Sequence, residues 1–216
     1  MRYSAAAFNS LPSLEVADQQ FKAKEAHQYL EGPIRQTFLD FDVQSKYGLA
    51  LLHNHFPLKE NQRLVDYHNT ATAWSVDDDV SVVSPKYNGQ VVPRAYMFEN
   101  NDIIPYEFSF VPATDIPVST NTKFFNALNQ TLTALGLEKL FGVRDLQDYD
   151  NGLSVEVTEG DANIMLPRSD LFASADLIEA LWVFNPKTAP CNCLLHCYRG
   201  CSGHFRNHSG QQVSTS

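Results

Sequence analysis

The sequence predicts an α+β fold: an antiparallel or mixed β-sheet with helices packed on one face, followed by a Cys/His-rich C-terminal tail. Three observations predict it. Short runs between Tyr47 and Val111 carry apolar and β-branched residues with a period of two, the pattern of strands. The apolar residues of 122–135 instead recur at helical spacing. Seven residues of zinc-ligating type, including all four cysteines, then fall between Cys191 and His208. The chain divides into one α+β domain, residues 1–186, and a tail, residues 187–216, that binds metal up to about His208.

Taken in order, residues from about Val16 to Leu30 read as a helix with Ala17, Phe21 and Tyr29 on one stripe, ended by Gly32-Pro33. Pro33 suits the first position of a new short helix, in which Ile34, Phe38 and Phe41 follow at helical spacing. Tyr47 to Phe56 reads as a central strand because both of its faces are mostly apolar. Leu64 to Trp74 is its antiparallel partner. Asp77-Asp78-Asp79 is a solvated turn, since consecutive residues of an extended chain point in opposite directions. Val80–Val83, Val91–Phe98 and Tyr106–Val111 read as further strands, with Pro93 suited to an edge or a bulge. Asn121 or Thr122 caps a helix carrying Phe124, Phe125, Leu128, Leu132 and Leu135, closed by Gly136. Leu153–Val157 and Ala162–Leu166 form a hairpin, and a last helix spans about Leu171 to Phe184, stopping before Pro186.

A chain of 216 residues buries most of its apolar surface in one core, and 14 Phe and 9 Tyr supply large side chains for it. A net charge of −9 argues against a nucleic-acid partner, because that affinity rests on Lys and Arg neutralising phosphates. No run approaches the length of a membrane span, and the N-terminus lacks the apolar stretch of a signal peptide. The expectation is a cytoplasmic or nuclear protein, not secreted, in which clustered cysteines are metal ligands or free thiols rather than disulfides.

The tail spacing Cys191-x-Cys193-x3-Cys197-x3-Cys201-x2-His204-x3-His208 points to zinc, with the four cysteines as ligands and His204 or His208 able to replace one of them. A structural zinc contributes roughly 10 to 16 kcal/mol, whereas ordering each residue costs about 1 to 2 kcal/mol. Zinc alone therefore orders a chelate loop but not the whole tail, and an ordered tail requires Leu194, Leu195, Tyr198 and Phe205 to bury against the body.

A second cluster lies upstream. His53 and His55, one residue apart on a strand, project to one face, as many catalytic metal sites begin. Gly48, His53-x-His55 and Glu60 resemble the first cupin motif, which implies Glu60 as a third ligand. The spacing departs from that motif by one residue, and no second motif follows. One register of the expected hairpin instead sets His68 opposite His53 and Asp66 opposite His55. Gly48-Leu-Ala-Leu-Leu-His53-Asn-His55-Phe56 together with the Cys/His-rich end also resembles a group of uncharacterised proteins of filamentous fungi, a resemblance that implies no known activity.

No phosphate-binding loop, dinucleotide fingerprint or nucleophile elbow is present. The functional expectation is a zinc-binding intracellular protein whose partner is a protein or small molecule. The alternative is a metal-dependent enzyme acting on a small apolar or aromatic substrate through His53, His55 and either Glu60 or His68. One arrangement would join the two clusters, by bringing the tail's cysteines or histidines close to His53 and His55.

Overall fold

Strand β1 (Tyr47–Leu51) is buried along its entire length. Its mixed apolar faces demand cover on both sides, and it is hydrogen-bonded on both edges, antiparallel to β6 (Phe141–Asp145) and to β9 (Leu177–Val183). The computed structural model describes residues 3–75, 89–100, 102–112, 121–146, 153–184 and 191–199. Within them the remaining strands are β2 (Gln62–Tyr67), β3 (Thr70–Ser75), β4 (Gly89–Glu99), β5 (Asp102–Pro112), β7 (Leu153–Glu159), β8 (Ala162–Pro167) and β10 (Asn192–Tyr198). They form a closed barrel in the order β1-β6-β4-β5-β2-β3-β8-β7-β10-β9, with β2 parallel to β5, β10 parallel to β7 and the other pairs antiparallel. Closure gives each described strand a hydrogen-bonded neighbour on both sides.

The barrel overturns the predicted α+β sheet with helices on one face, and four elements account for the difference. Leu64 to Trp74 is two strands, not one: β2 and β3 meet at a tight turn in which His68 and Asn69 both adopt positive φ, 51° and 65°. That is the backbone of a type I′ hairpin, written here without the usual glycine. Strand β2 accordingly pairs with β3 and β5 rather than with β1. The expected last helix is a single 3-10 turn, Ser174–Asp176, followed by β9. The run Leu177-Ile-Glu-Ala-Leu-Trp-Val is apolar on both faces, and such a run fits either period. β6, a strand of only five residues, follows the long helix directly after the turn at 136–140. β10, expected in the tail, is a stave of the wall paired to both β7 and β9, so the boundary placed at residue 186 does not separate it from the body. Leu195 is buried there, Leu194 and Tyr198 are half-buried, and Phe205 lies outside the described residues, as do Asp77–Asp79 and Val80–Val83.

The helices after the first lie against the outside of the wall formed by β1, β6 and β9, and the first packs instead with Leu64, Met97 and Tyr106. The helices are α1 (Ala5–Asn9), α2 (Leu14–Ala23), the single turn α3 (His27–Tyr29), α4 (Arg35–Asp40) and α5 (Thr122–Leu135). A π-type segment, Leu30–Ile34, joins α3 to α4 around the non-helical Gly32. Helix α5 begins where Asn121 accepts from the Phe124 N–H and ends at the left-handed Gly136. Its Phe124, Phe125, Leu128 and Leu132 share one buried cluster with Tyr47, Leu49 and Leu51 of β1, Phe141 and Val143 of β6, and Trp182 of β9. Tyr47 stacks on Phe124 at 5.7 Å and Phe21 on Trp182 at 5.3 Å between ring centroids. The main hydrophobic core thus sits between helices and wall, leaving the lumen for other residues. No described helix is long and apolar enough to cross a membrane.

Gly142, opposite Ala50 in β6, marks how closely the wall is packed. A Cβ there would stand 2.4 Å from the Tyr96 carbonyl oxygen and 2.8 Å from Leu52 Cδ2. Because the nearer atom belongs to backbone, it cannot swing away. Gly142→Ala is expected to cost about 1 to 3 kcal/mol, read as a lower urea midpoint with an unchanged slope.

Candidate metal centre

Strand alternation sends Glu107 of β5, Arg144 of β6, Glu156 of β7, Asn163 of β8 and Cys197 of β10 into the barrel. Their contacts prove the direction. β5 and β7 are separated by β2, β3 and β8 along the wall. Even so, Arg144 Nη1 lies 3.3 Å from Glu107 Oε2 and 3.2 Å from Glu156 Oε1. Side chains of non-neighbouring strands meet in this way only across the lumen. Arg94 is carried by the bulge between Pro93 and Ala95, pairs with Asp66 and is felt electrostatically at Glu107.

His53 and His55 enter this lumen from the segment after β1. The strand stops at Leu51, and Asn54 ties the next residues to the N-terminal segment, its N–H donating to Pro12 C=O at 2.9 Å and its amide to Leu11 C=O at 2.6 Å. The two imidazoles therefore do not share a strand face, but their ring centroids still lie 4.7 Å apart. His53 Nδ1 is 2.9 Å from the Leu51 carbonyl oxygen. A carbonyl only accepts, so the neutral ring carries its proton on Nδ1 and presents the Nε2 lone pair. That lone pair points at Cys197 Sγ, 3.5 Å away, and Cys197 Sγ is 3.2 Å from Glu156 Oε2.

Burial, reinforced by neighbouring His55, lowers the His53 pKa from the ordinary 6.5 to about 4, so the imidazole is neutral. Burial also raises the Cys197 thiol well above its usual range, with the Glu156 carboxylate adding to the effect. For Glu107 burial pulls upward, but Arg144, His55 and Arg94 outweigh it and hold the carboxyl at about 2. The same contest, won chiefly by Arg144, lowers Glu156. Arg144 thus pairs with Glu107 and Glu156, and Arg94 with Asp66, across the lumen.

The donor atoms of His53, Glu156 and Cys197 all lie within 4.8 Å of one another, and all three residues are buried. Ligand atoms about 2.0 to 2.3 Å from a tetrahedral ion stand roughly 3.3 to 3.8 Å apart. The contacts of 3.5 Å and 3.2 Å around Cys197 Sγ come close to that spacing before any ion enters. Both other donors are already oriented from behind, His53 by the Leu51 carbonyl and Glu156 by Arg144 on its second oxygen. On the remaining side the group faces a cavity of about 130 Å³ lined by Asn54, His55, Thr158, Asn163 and residues of the α2 N-terminus, room for about four waters.

The expected ligands divide accordingly. His53 and Cys197 meet, which is the joining of the two clusters that the sequence left open. Glu60 lies in an exposed turn, and His68 sits in the β2–β3 turn with its ring 4.1 Å from that of Tyr67. The cupin-like ligand set and the hairpin alternative are therefore not assembled. Cys191 and Cys193 are half-buried elsewhere on the wall. Four residues of strand separate Cys193 from Cys197 by about 13 Å, too far for one ion to bind both. Cys201, His204 and His208 lie outside the described residues. Sequence reasoning missed Glu156 and Arg144, because an acid or base alternating with Val155 and Val157 or with Val143 reads as a solvated strand face.

Two outcomes follow from the lumen electrostatics. In metal-stripped protein, the unfolded chain takes up a proton at His53 near pH 6.5 while the folded chain resists until about pH 4. Stability should fall by about 3 kcal/mol as pH drops through that window and no further below it on this account, and denaturant titrations of His53→Gln should lack this slope. Arg144→Met leaves Glu107 and Glu156 without their shared counter-charge and should cost about 3 to 5 kcal/mol by the same titration. No family model, curated protein or solved structure matches this chain.

Proposed function

We propose that the protein is a zinc protein with a catalytic-type centre in the barrel lumen, held by His53 Nε2, Glu156 and Cys197 Sγ and acting on a small polar molecule. The observation that carries this reading is the convergence of three pre-oriented donors on one side of a cavity. Structural zinc sites are closed by four protein ligands, whereas catalytic ones keep a position open. Imidazole, thiolate and carboxylate together favour zinc over the hard cations. A zinc ion there would bring a coordinated water toward neutral pKa.

The chain's own residues supply what such a centre needs. His55 Nδ1 is 3.2 Å from Thr158 Oγ1, Thr158 Oγ1 donates to Asn163 Oδ1 at 3.2 Å, and Asn163 Nδ2 is 3.4 Å from His55 Nε2. This ring of hydrogen bonds holds the imidazole in place. Glu107 Oε1, 3.6 Å from the same nitrogen, is placed to stabilise a proton taken up there. His55 is thus the group positioned to accept and return a proton at the cavity floor. The lining includes amide, hydroxyl and imidazole groups that would orient a small polar molecule, whereas the alternative reading of the sequence took an apolar or aromatic substrate. A reduced Cys197 suits the cytosol or nucleus.

Protein purified from zinc-supplemented cells should retain at least one equivalent of zinc through gel filtration, and Cys197→Ser and His53→Gln should each remove one equivalent. After replacement with cobalt(II), a thiolate-to-metal absorption band should be present in the wild type and absent in Cys197→Ser. Millimolar azide should shift the cobalt spectrum if a coordination position is open. Unchanged metal content in both variants would remove the ion from this reading, and a spectrum indifferent to azide would make the centre structural rather than catalytic.

A further inference from the structure

Strand β10 carries donors on both faces. In a regular strand, residues an odd number apart lie on opposite faces, so Cys193 and His196 would point apart. They do not, because the β9–β10 ladder contains two compensating irregularities. Between the pairs Cys193↔Trp182 and Leu195↔Leu181, β10 advances two residues while β9 advances one, leaving Leu194 as an extra residue. Between Leu195↔Leu181 and His196↔Glu179 the reverse happens, leaving Ala180 as the extra residue on β9. The first bulge turns Cys193 and His196 to the same side, and the second does the same for Trp182 and Glu179. Because the shifts cancel, Cys197 still returns to the lumen.

That side is the outer wall. Cys193 packs against the cluster shared by the helices and Trp182, and Cys193 Sγ lies 3.9 Å from His196 Nδ1. The donor atoms of Glu179, Cys193 and His196 all lie within 4.8 Å of one another, with Glu179 exposed and the other two half-buried. Trp182 Nε1–H donates to Glu179 Oε2 at 3.0 Å, which orients the carboxylate from behind. We propose that Glu179, Cys193 and His196 form a second binding site for a zinc-class divalent ion, on the outer wall of the barrel and independent of the lumen centre. Thiolate, imidazole and carboxylate again select a borderline-soft ion over calcium or magnesium. Exposure on this face makes its ion readily exchangeable, in contrast to one enclosed by the lumen.

Cadmium-113 NMR of the full chain, loaded with cadmium, tests the proposal, because the chemical shift reports thiolate ligation. Two resonances in the one-thiolate range are expected. Cys193→Ser and His196→Gln should each abolish one of them and leave the other unchanged, while Cys197→Ser should abolish only the other. Cadmium should also protect Cys193 from alkylation in the wild type but not in His196→Gln, read residue by residue by mass spectrometry. If neither Cys193→Ser nor His196→Gln removes a resonance, and Cys193 is alkylated equally with and without the ion, the outer site does not exist. Loss of the Cys197-dependent resonance alone from the expected pair would instead count against the lumen centre and leave this site standing.

Discussion

Arg144 is the charge on which the inside of the barrel depends. Two carboxylates from strands on different parts of the wall, Glu107 and Glu156, converge on its guanidinium group at 3.3 Å and 3.2 Å. Buried without it, they would repel each other and take up protons, since desolvation alone pushes both upward. With it, both remain ionised, and Glu156 keeps one oxygen free to face Cys197 and His53. The Glu156 carboxylate that the triad keeps ionised adds to what burial does to the Cys197 thiol, raising it further. Such a triad contributes little to net stability compared with an apolar filling of the same volume. Its presence is more readily explained by the donors it orients than by the fold it supports.

A polar lumen is possible because the apolar work is done elsewhere. The outer faces of β1, β6 and β9 form a continuous aromatic layer with α2, α4 and α5, in which Phe38, Phe124, Phe125, Phe141 and Trp182 are all fully buried. Each such side chain contributes about 1.5 to 3 kcal/mol on leaving water, enough together to offset the desolvation of a handful of paired charges. Within the lumen a smaller apolar group, Ala50, Met165, Leu181 and Leu195, fills the space beside the ions. The largest apolar cluster thus lies outside the wall, while the lumen holds both apolar side chains and paired charges.

Irregularities in the ladders, rather than the ladders themselves, aim the chemistry. The bulge at Pro93–Ala95 carries Arg94 to Asp66, and the paired bulges of β9 and β10 sort the Cys/His stretch into an inward Cys197 and an outward Cys193 and His196. The break after Leu51, held by Asn54 bonding to the N-terminal segment, does the same for His53 and His55. In the two ladders one residue out of register decides which side of the wall a side chain occupies.

Local physics made much of this legible in the sequence. The period of two located β4, β5, β7 and β8 because each has one face apolar, Pro93 marked a bulge because it cannot donate to a ladder, and Asn121 and Gly136 bounded α5 because they satisfy its free ends. The donor residues His53, His55, Cys193 and Cys197 were also visible, since thiols and imidazoles in clusters are rare. What tertiary structure decided was closure, the inside from the outside, and the grouping of donors. A run such as 177–183, apolar on both faces, has no period to read, and a charged strand face looks the same whether it meets water or its own counter-ions across a lumen. The joining of His53 to Cys197 spans 144 residues of chain. It exists because β10 closes the barrel beside β7, a pairing that depends on the registers of all ten strands at once and therefore on no single segment.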